Sequence, residues 1–149
     1  MLRRNLLTAL LGAAGALIAA APGRARAAAA APDGAKVVYH LTDLDKVAFV
    51  LGNIRNHFAG MGGAGNVAIA LVVHGPALKA FHAASAGEDV TERTRDLLKS
   101  GLALNACLNT MRAQNVTLAE LLPGFAVAEK GGVVRIAELQ GQGYVYLRP

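Results

Sequence analysis

Three side chains capable of proton transfer or nucleophilic attack lie at the ends of apolar, strand-like segments of the sequence. His40 lies near the end of "KVVYHL", His74 near the end of "NVAIALVVHG", and Cys107 closes "LALNAC". In an open parallel sheet, reacting groups collect outside the carboxyl ends of the strands. If these segments are parallel strands, a thiol and two imidazoles can share one edge of the sheet. The predicted chemistry is that of a thiolate, with His40 and His74 as supporting cations or proton acceptors.

Cys107 is the single cysteine of the chain, so an intramolecular disulfide is excluded. In an oxidising compartment such a cysteine is buried and inert, paired with another chain, or reactive. Asn109 or Thr110 can cap a following helix, which places Cys107 just before a helix start. Free backbone donors and the helix dipole favour the thiolate there. The sequence therefore favours a reactive thiol and leaves the other two possibilities open.

The remaining histidines and a possible metal site carry weaker signals. His57 and His82 lie on predicted helices and are expected to be surface or packing residues. Cys107, His40 and His74 are metal-ligand types, but no CxxC or HxxxH spacing accompanies them. We therefore predict neither a metal nor a cofactor.

The glycine-rich segment "GMGGAG" at residues 60–65 superficially resembles a phosphate-binding loop. It follows a predicted helix and precedes a predicted strand, whereas phosphate-binding loops follow a strand and open a helix. We expect a flexible connector.

Short apolar segments alternate with helical patterns along the chain. This alternation predicts crossover connections and a three-layer α/β/α sandwich with a mainly parallel five-stranded sheet of flavodoxin-like type. The continuous apolar run "VAIALVV" indicates a central strand covered on both faces. The predicted strands are residues 36–41, 66–75, 102–107, 125–129 and 144–149.

Helix boundaries are predicted from caps, glycines and prolines. Apolar residues recur at helical spacing over residues 47–61, and Pro76 is suited to the first turn of a second helix. A last short helix is expected over "GVVRIAELQ", before Gly141 and Gly143. Side-chain caps are expected from Thr42 or Asp43, and from two capping boxes, Asp89 with Glu92 and Thr117 with Glu120.

Residues 1–27 have the layout of a cleaved export signal. Arg3 and Arg4 precede an apolar stretch, and small residues surround Ala27, the predicted last residue removed. The stretch is short and rich in alanine and glycine, so no membrane anchor is expected after cleavage. The paired arginines favour a twin-arginine signal, with a general secretory signal as the alternative. A periplasmic protein is expected, with a disordered mature N-terminus at residues 28–35 and one folded domain at residues 36–149.

Removing the signal changes the charge of the protein. The chain has a formal net charge of +5, and Arg3, Arg4, Arg24 and Arg26 carry four of those charges. The remainder has 11 basic and 10 acidic side chains. A basic footprint on the folded part is what would bind phosphates, so nucleic-acid binding is not expected.

Four motifs, in order and spaced over most of the mature chain, resemble the DsrE/DsrF-like family, in its exported branch with one cysteine. They are "VVHGPAL" at 72–78, "ACLNTM" at 106–111, "LLPGFAVAEKGGV" at 121–133 and "ELQGQGYVYLRP" at 138–149. The resemblance implies a flavodoxin-like domain that forms homo-oligomers. It also implies that Cys107 is the residue that accepts sulfur as a persulfide and passes it on.

Two functions from different classes follow. The first is a thiol or persulfide carrier in a sulfur-relay or sulfur-oxidation context, more a carrier than a turnover enzyme, with sulfur donors and acceptors as partners. The second is a ligand-binding or oligomeric assembly module in which Cys107 is structural. An intermolecular disulfide through Cys107 is a third possibility.

Overall fold

The structure is a computed structural model that describes residues 34–149. The predicted export signal at residues 1–27 lies outside this range, as does the predicted disordered segment apart from Gly34 and Ala35. Within residues 34–149, no helix is both long enough and apolar enough to cross a bilayer.

Five strands form one sheet in which every neighbouring pair is parallel. The predicted α/β fold with a parallel five-stranded sheet is therefore confirmed. The order across the sheet is β4-β3-β2-β1-β5, which the sequence did not indicate. The strands are β1 Ala35–Leu41, β2 Val67–Val73, β3 Ala103–Cys107, β4 Phe125–Ala128 and β5 Val145–Leu147.

Four α-helices and four short 3-10 segments connect the strands. The helices are α1 Val47–Gly60, α2 Glu88–Lys99, α3 Leu108–Ala113 and α4 Gly132–Gly141. The 3-10 segments are Leu44–Lys46, Ala64–Asn66, Gly75–Phe81 and Leu118–Glu120.

The strand order determines which face of the sheet each connection covers. The chain moves outward from β1 to β4 and then returns to place β5 on the other side of β1. Because parallel crossovers are right-handed, the connections before β4 cover one face and the connection through α4 covers the opposite face. The buried residues divide accordingly into two clusters.

The two clusters differ greatly in size. The larger one packs α1, α2 and the 3-10 segment Gly75–Phe81 against the sheet, and includes Leu71 and Phe81 at 0% exposure. The smaller one joins α4 to the sheet, and within residues 34–149 its buried members are Val38, Ala70 and Val72 of the strands and Ile136 and Leu139 of α4. We call these the thick face and the α4 face.

The segment after Pro76 differs from its prediction. It forms the 3-10 segment Gly75–Phe81 instead of an α-helix. Its first residue, Gly75, has a φ of 61°, and the amide of Ala77 donates to the carbonyl oxygen of Thr42 at 2.9 Å. The chain is thus fixed to the loop after β1 before a regular α-helical turn can form.

The predicted side-chain caps have mixed outcomes. The Thr117–Glu120 capping box is confirmed, although it opens a 3-10 segment. The predicted capping box of Asp89 with Glu92 is wrong, because α2 begins at Glu88 and Asp89 lies inside the helix. Asp89 instead forms an ion pair with Arg93 at 2.6 Å.

The expected cap of α1 by Thr42 or Asp43 is also wrong. A 3-10 segment precedes the helix, and Asp43 stands before that segment without a side-chain capping bond. The segment at residues 60–65 connects α1 to the turn before β2, as predicted. Gly62 and Gly63 adopt positive φ values of 79° and 115° there.

Candidate functional site

The neighbouring strands β1, β2 and β3 bring the three predicted side chains to one edge of the sheet. The register pairs Leu41 with Val73, and Val73 with Ala106. His40, His74 and Cys107 therefore lie at the carboxyl ends of three adjacent strands. This is the edge where the sequence placed them.

The side chains of His40 and His74 are in direct contact. Their Nε2 atoms form a hydrogen bond, and their ring centroids are 4.6 Å apart with 22° between the ring planes. Because the contact joins the tips of the two rings, the pair lies end to end and is not a face-to-face stack. On its other side, His40 Nδ1 hydrogen-bonds the Tyr146 hydroxyl at 2.7 Å. A short chain of exchangeable protons therefore runs from Tyr146 through His40 to His74.

Both imidazoles are held neutral at ordinary pH. Burial, the neighbouring His74 and the Arg148 guanidinium lower the pKa of His40 to about 4, and Asp43 opposes this shift. Burial and Arg148 also lower the pKa of His74. They therefore do not act as fixed cations beside the thiol, and because a lowered pKa weakens an imidazole as a base, they can hold a transferred proton only transiently.

Cys107 is the last residue of β3 and also the N-cap residue of α3. The predicted caps Asn109 and Thr110 instead lie inside the helix, because β3 passes into α3 without a loop. The side chain of Cys107 is buried, with 5% of its surface exposed.

Groups at the starts of two helices lower the pKa of the Cys107 thiol. Burial raises the pKa of the Cys107 thiol, but this is outweighed by bonds from the amides of Thr110, Gly132 and Asn109 and from the Thr110 hydroxyl. The net effect is a lowered pKa. Thr110 and Asn109 lie at the start of α3, whereas Gly132 is the first residue of α4. The sequence predicted help from the helix behind the thiol but missed the second helix.

Gly132 allows this convergence by having no side chain. A Cβ atom at residue 132 would lie 3.2 Å from His74 Cδ2 and 3.3 Å from Cys107 Cβ. The backbone of α4 therefore touches both His74 and Cys107. Gly131, with a φ of 99°, supplies the turn that brings it there.

The Thr110 hydroxyl links the thiol to the loop after β2. Thr110 Oγ1 accepts a hydrogen bond from the amide of Gly75 at 2.9 Å. The side chain of Gln114 fixes the same loop by donating to the carbonyl oxygen of Gly75 at 2.8 Å. Because Gly75 follows His74, α3 positions both the sulfur and the imidazole.

The other two histidines lie outside this arrangement. His57 Nδ1 hydrogen-bonds the Tyr39 hydroxyl at 2.9 Å, and His82 Nε2 hydrogen-bonds Gln114 Oε1 at 2.8 Å. Each fixes a neighbouring element, in keeping with the packing roles expected from the sequence. Within residues 34–149, no group of three or more His, Cys, Asp or Glu side chains could hold a metal ion.

Sequence reasoning missed Tyr146, Gly132 and Arg135, and it named Thr110 only as a possible helix cap. Tyr146 was not predicted to belong to the site, because nothing in the sequence showed that β5 pairs with β1. Gly132 and Thr110 act through backbone and hydroxyl contacts that have no spacing signature. Arg135, whose Nε atom donates to the buried Asn105 Oδ1 at 3.1 Å, was treated only as part of a predicted helix.

Solved structures similar to this chain share its fold over nearly their whole length. A protein of unknown function, MTH1491 from Methanobacterium thermoautotrophicum, is 28% identical with a TM-score of 0.68, covering 77% of this chain and 99% of its own. The YchN protein from E. coli is 13% identical with a TM-score of 0.60, covering 78% and 99%. The chain has the DsrE/YchN-like fold.

A third structure with the DsrE/YchN-like fold extends this likeness. The conserved protein of unknown function BT1422 from Bacteroides thetaiotaomicron is 18% identical with a TM-score of 0.58, covering 76% of this chain and 94% of its own. No protein-family model matches the sequence, and neither does any curated protein. The comparisons thus support the fold expected from the motifs, and two of the three named structures are themselves of unknown function.

Proposed function

We propose that this protein is a carrier of sulfane sulfur that acts through Cys107. The main support is the position of Cys107 at the N-cap of α3 and against Gly132, the first residue of α4. The backbone amides at these two helix starts lower the pKa of the thiol. A thiolate is the form that attacks a sulfur donor. The same amides favour the anionic persulfide that results.

The transfer step needs no oxidant. The Cys107 thiolate attacks the outer sulfur of a donor persulfide, the donor's S–S bond breaks, and the donor thiolate leaves with the bonding electron pair. Cys107 then carries a persulfide, and the reverse attack by an acceptor thiolate returns it to a thiolate. In this proposal His74, whose ring lies with Cys107 against Gly132, takes the proton of a resting thiol and passes it towards His40.

Mass spectrometry after incubation with a sulfane-sulfur donor tests the proposal directly. We expect an adduct of about 32 Da, the mass of one sulfur atom, that is removed by a reductant. Cys107→Ser should abolish this adduct. An unmodified wild-type protein, or an adduct that persists in the serine variant, would contradict the carrier function.

The alternative is a binding or assembly module in which Cys107 only fills space. The observation that favours it is the 5% exposure of this side chain. Alkylation separates the two functions. A carrier thiol should react with a small reagent in the native protein and faster at higher pH, whereas a structural thiol should react only after denaturation.

We further propose that the protein is exported to the periplasm and forms a homo-oligomer. Support for export comes from the pattern of residues 1–27, and a mature chain that starts after Ala27 in its native host would test it. Support for self-association comes from exposed apolar side chains on and beside α4, with Val133 at 68% and Val145 at 61% exposure. Light scattering of the mature protein would test the assembly.

A further inference from the structure

A cavity of about 270 Å³ lies between α4 and the β3–β4 side of the sheet. Asn105 forms part of its wall and points to the same face as Cys107, two residues further along β3. Ala128, the strand partner of Cys107, also lines it, as does Gly131 in the turn before α4. Cys107 does not itself line the cavity, but its neighbours Ala128 across the sheet and Asn105 along β3 do. Its volume lies just below the range of about 300–1,000 Å³ typical of ligand pockets, so it suits a molecule the size of an amino acid.

The charges around this cavity are of both signs. Lys130 and Arg135 supply two cations, and Glu129 and Glu138 supply two carboxylates. Glu138 Oε1 lies 3.3 Å from Lys130 Nζ, and Glu138 Oε2 lies 3.6 Å from Arg135 NH1. A cavity with balanced charge favours a zwitterion over a simple anion such as thiosulfate, because each ligand charge meets one of opposite sign.

Arg135 is held in position by a buried amide. Its Nε atom donates to Asn105 Oδ1 at 3.1 Å, and Asn105 is only 5% exposed. A buried polar side chain in a central strand costs free energy unless it is paired. The 3.6 Å separation from Glu138 is longer than a hydrogen bond, so the outer edge of the guanidinium can still receive a carboxylate.

Asn105 also has a hydrogen-bond donor that a ligand could use. Its Nδ2 atom reaches the carbonyl oxygen of Ala103 only at 3.4 Å, near the limit of a hydrogen bond. One amide group therefore anchors Arg135 and presents a poorly used donor on the face of β3 from which Cys107 also projects.

We propose that this cavity binds the α-amino-acid part of a small zwitterionic persulfide, cysteine persulfide being the simplest. Its carboxylate would meet Arg135 and Lys130, and its ammonium would meet Glu129 or Glu138. The sulfur end would face Cys107. This inference rests on the proposed function and names its donor class. Attack by the Cys107 thiolate on the outer sulfur would leave a persulfide on Cys107 and release cysteine thiolate.

Calorimetric titration with S-methyl-L-cysteine, an unreactive probe, tests the site without any sulfur transfer. We expect this zwitterion to bind, and we expect its methyl ester and its N-acetyl derivative to bind about tenfold more weakly, because each loses one charge-assisted contact. Equal affinity for all three probes, or no binding of any, would overturn the inference.

Arg135→Gln should weaken binding of the probe about tenfold or more. Arg95→Gln is the matched control, since Arg95 also pairs with a glutamate three residues away at 3.6 Å but lies on α2. Lys130→Gln is a second variant, and it should fold like the wild type because 77% of the Lys130 side chain is exposed. Unchanged affinity in both the Arg135 and the Lys130 variants would contradict the assignment.

Comparing probe binding with persulfide formation on the wild-type protein separates the two proposals. Probe binding without any persulfide on wild-type Cys107 would leave the cavity site standing and remove the carrier function. A persulfide formed from inorganic polysulfide, with no probe binding, would keep the carrier function and remove this site.

Discussion

The two faces of the sheet differ in what covers them. The thick face carries α1, α2 and a 3-10 segment over a continuous apolar core, whereas on the α4 face two buried side chains of one helix meet three from the sheet. His74, Cys107 and Asn105 lie beside α4, next to its backbone or its Arg135 side chain. The difference indicates that the thick face supplies most of the folding free energy, while the thin cover leaves room for polar groups and a cavity.

Matched leucine truncations test this division of stability most strongly. Leu71 on the thick face is 0% exposed and Leu139 on the α4 face is 2% exposed. We expect Leu71→Ala to lower the free energy of unfolding by about 4 kcal/mol and Leu139→Ala by about 2–3 kcal/mol, because the thinner layer can relax around a cavity more easily. Urea denaturation measures both, and equal losses would contradict the comparison.

Glycine substitutions within α4 test how closely this helix approaches His74 and Cys107. Gly132→Ala should cost about 1–2 kcal/mol, since the new Cβ would crowd His74 and Cys107 at 3.2 and 3.3 Å. It should also slow alkylation of Cys107. Gly141→Ala in the same helix is the control, because nothing lies within 4 Å of its added Cβ. This control should gain about 0.5–1 kcal/mol. A neutral Gly132→Ala with normal thiol reactivity would show that the close approach is unimportant.

The pH dependence of stability tests the imidazole pair. His40 has a pKa of about 4 in the folded protein, against the ordinary histidine value of 6.5, so the unfolded chain binds the proton more tightly. The stabilising effect of neutral His40 is therefore complete above pH 6.5 and is lost as the pH falls towards 4. After allowance for solvent screening, we expect a contribution of about 1–2 kcal/mol.

His40→Asn should reduce this acid sensitivity relative to wild type. The neighbours His74, Arg148 and Asp43 are present in both proteins, so the difference in unfolding free energy between pH 7 and pH 4.5 reports the loss of His40. His57→Asn, which alters a histidine outside the pair, should keep the wild-type dependence. Equal acid sensitivity in wild type and His40→Asn would contradict the lowered pKa.

The smallest expected effect concerns the hydroxyl that reaches the sulfur. Thr110→Val removes this donor and should raise the pKa of Cys107, seen as a shift of the pH–rate profile of alkylation to higher pH. Thr110→Ser keeps the hydroxyl and should restore the wild-type profile. An unshifted profile in the valine variant would assign the lowered pKa to the backbone amides alone.

Much of the fold was predictable because strand and helix signals are local. All five strands and the layered architecture follow from apolar runs, glycines and the β–α alternation. Strand order was not predictable, since it depends on which edge β5 joins, and no local residue encodes that choice. The 3-10 conformation at Gly75–Phe81 was missed for a similar reason, because a contact with the distant loop after β1 fixes it.

The site was predictable only in part. The positions of His40, His74 and Cys107 at strand ends follow from the sequence and from the geometry of parallel sheets. The groups that give these residues their character come from elsewhere in the chain. Tyr146 comes from β5, and Gly132 and Arg135 come from α4, so their roles depend on tertiary packing that the pattern of residues does not specify.

The direct passage from β3 into α3 at Cys107 also limits how the length of this segment can vary. Successive residues of a strand point to opposite sides, so inserting or deleting one residue in β3 would reverse the side on which residue 107 projects. The sulfur would then enter the apolar interior opposite α4, away from His74 and Gly132. We infer that β3 tolerates changes of residue type far better than changes of length.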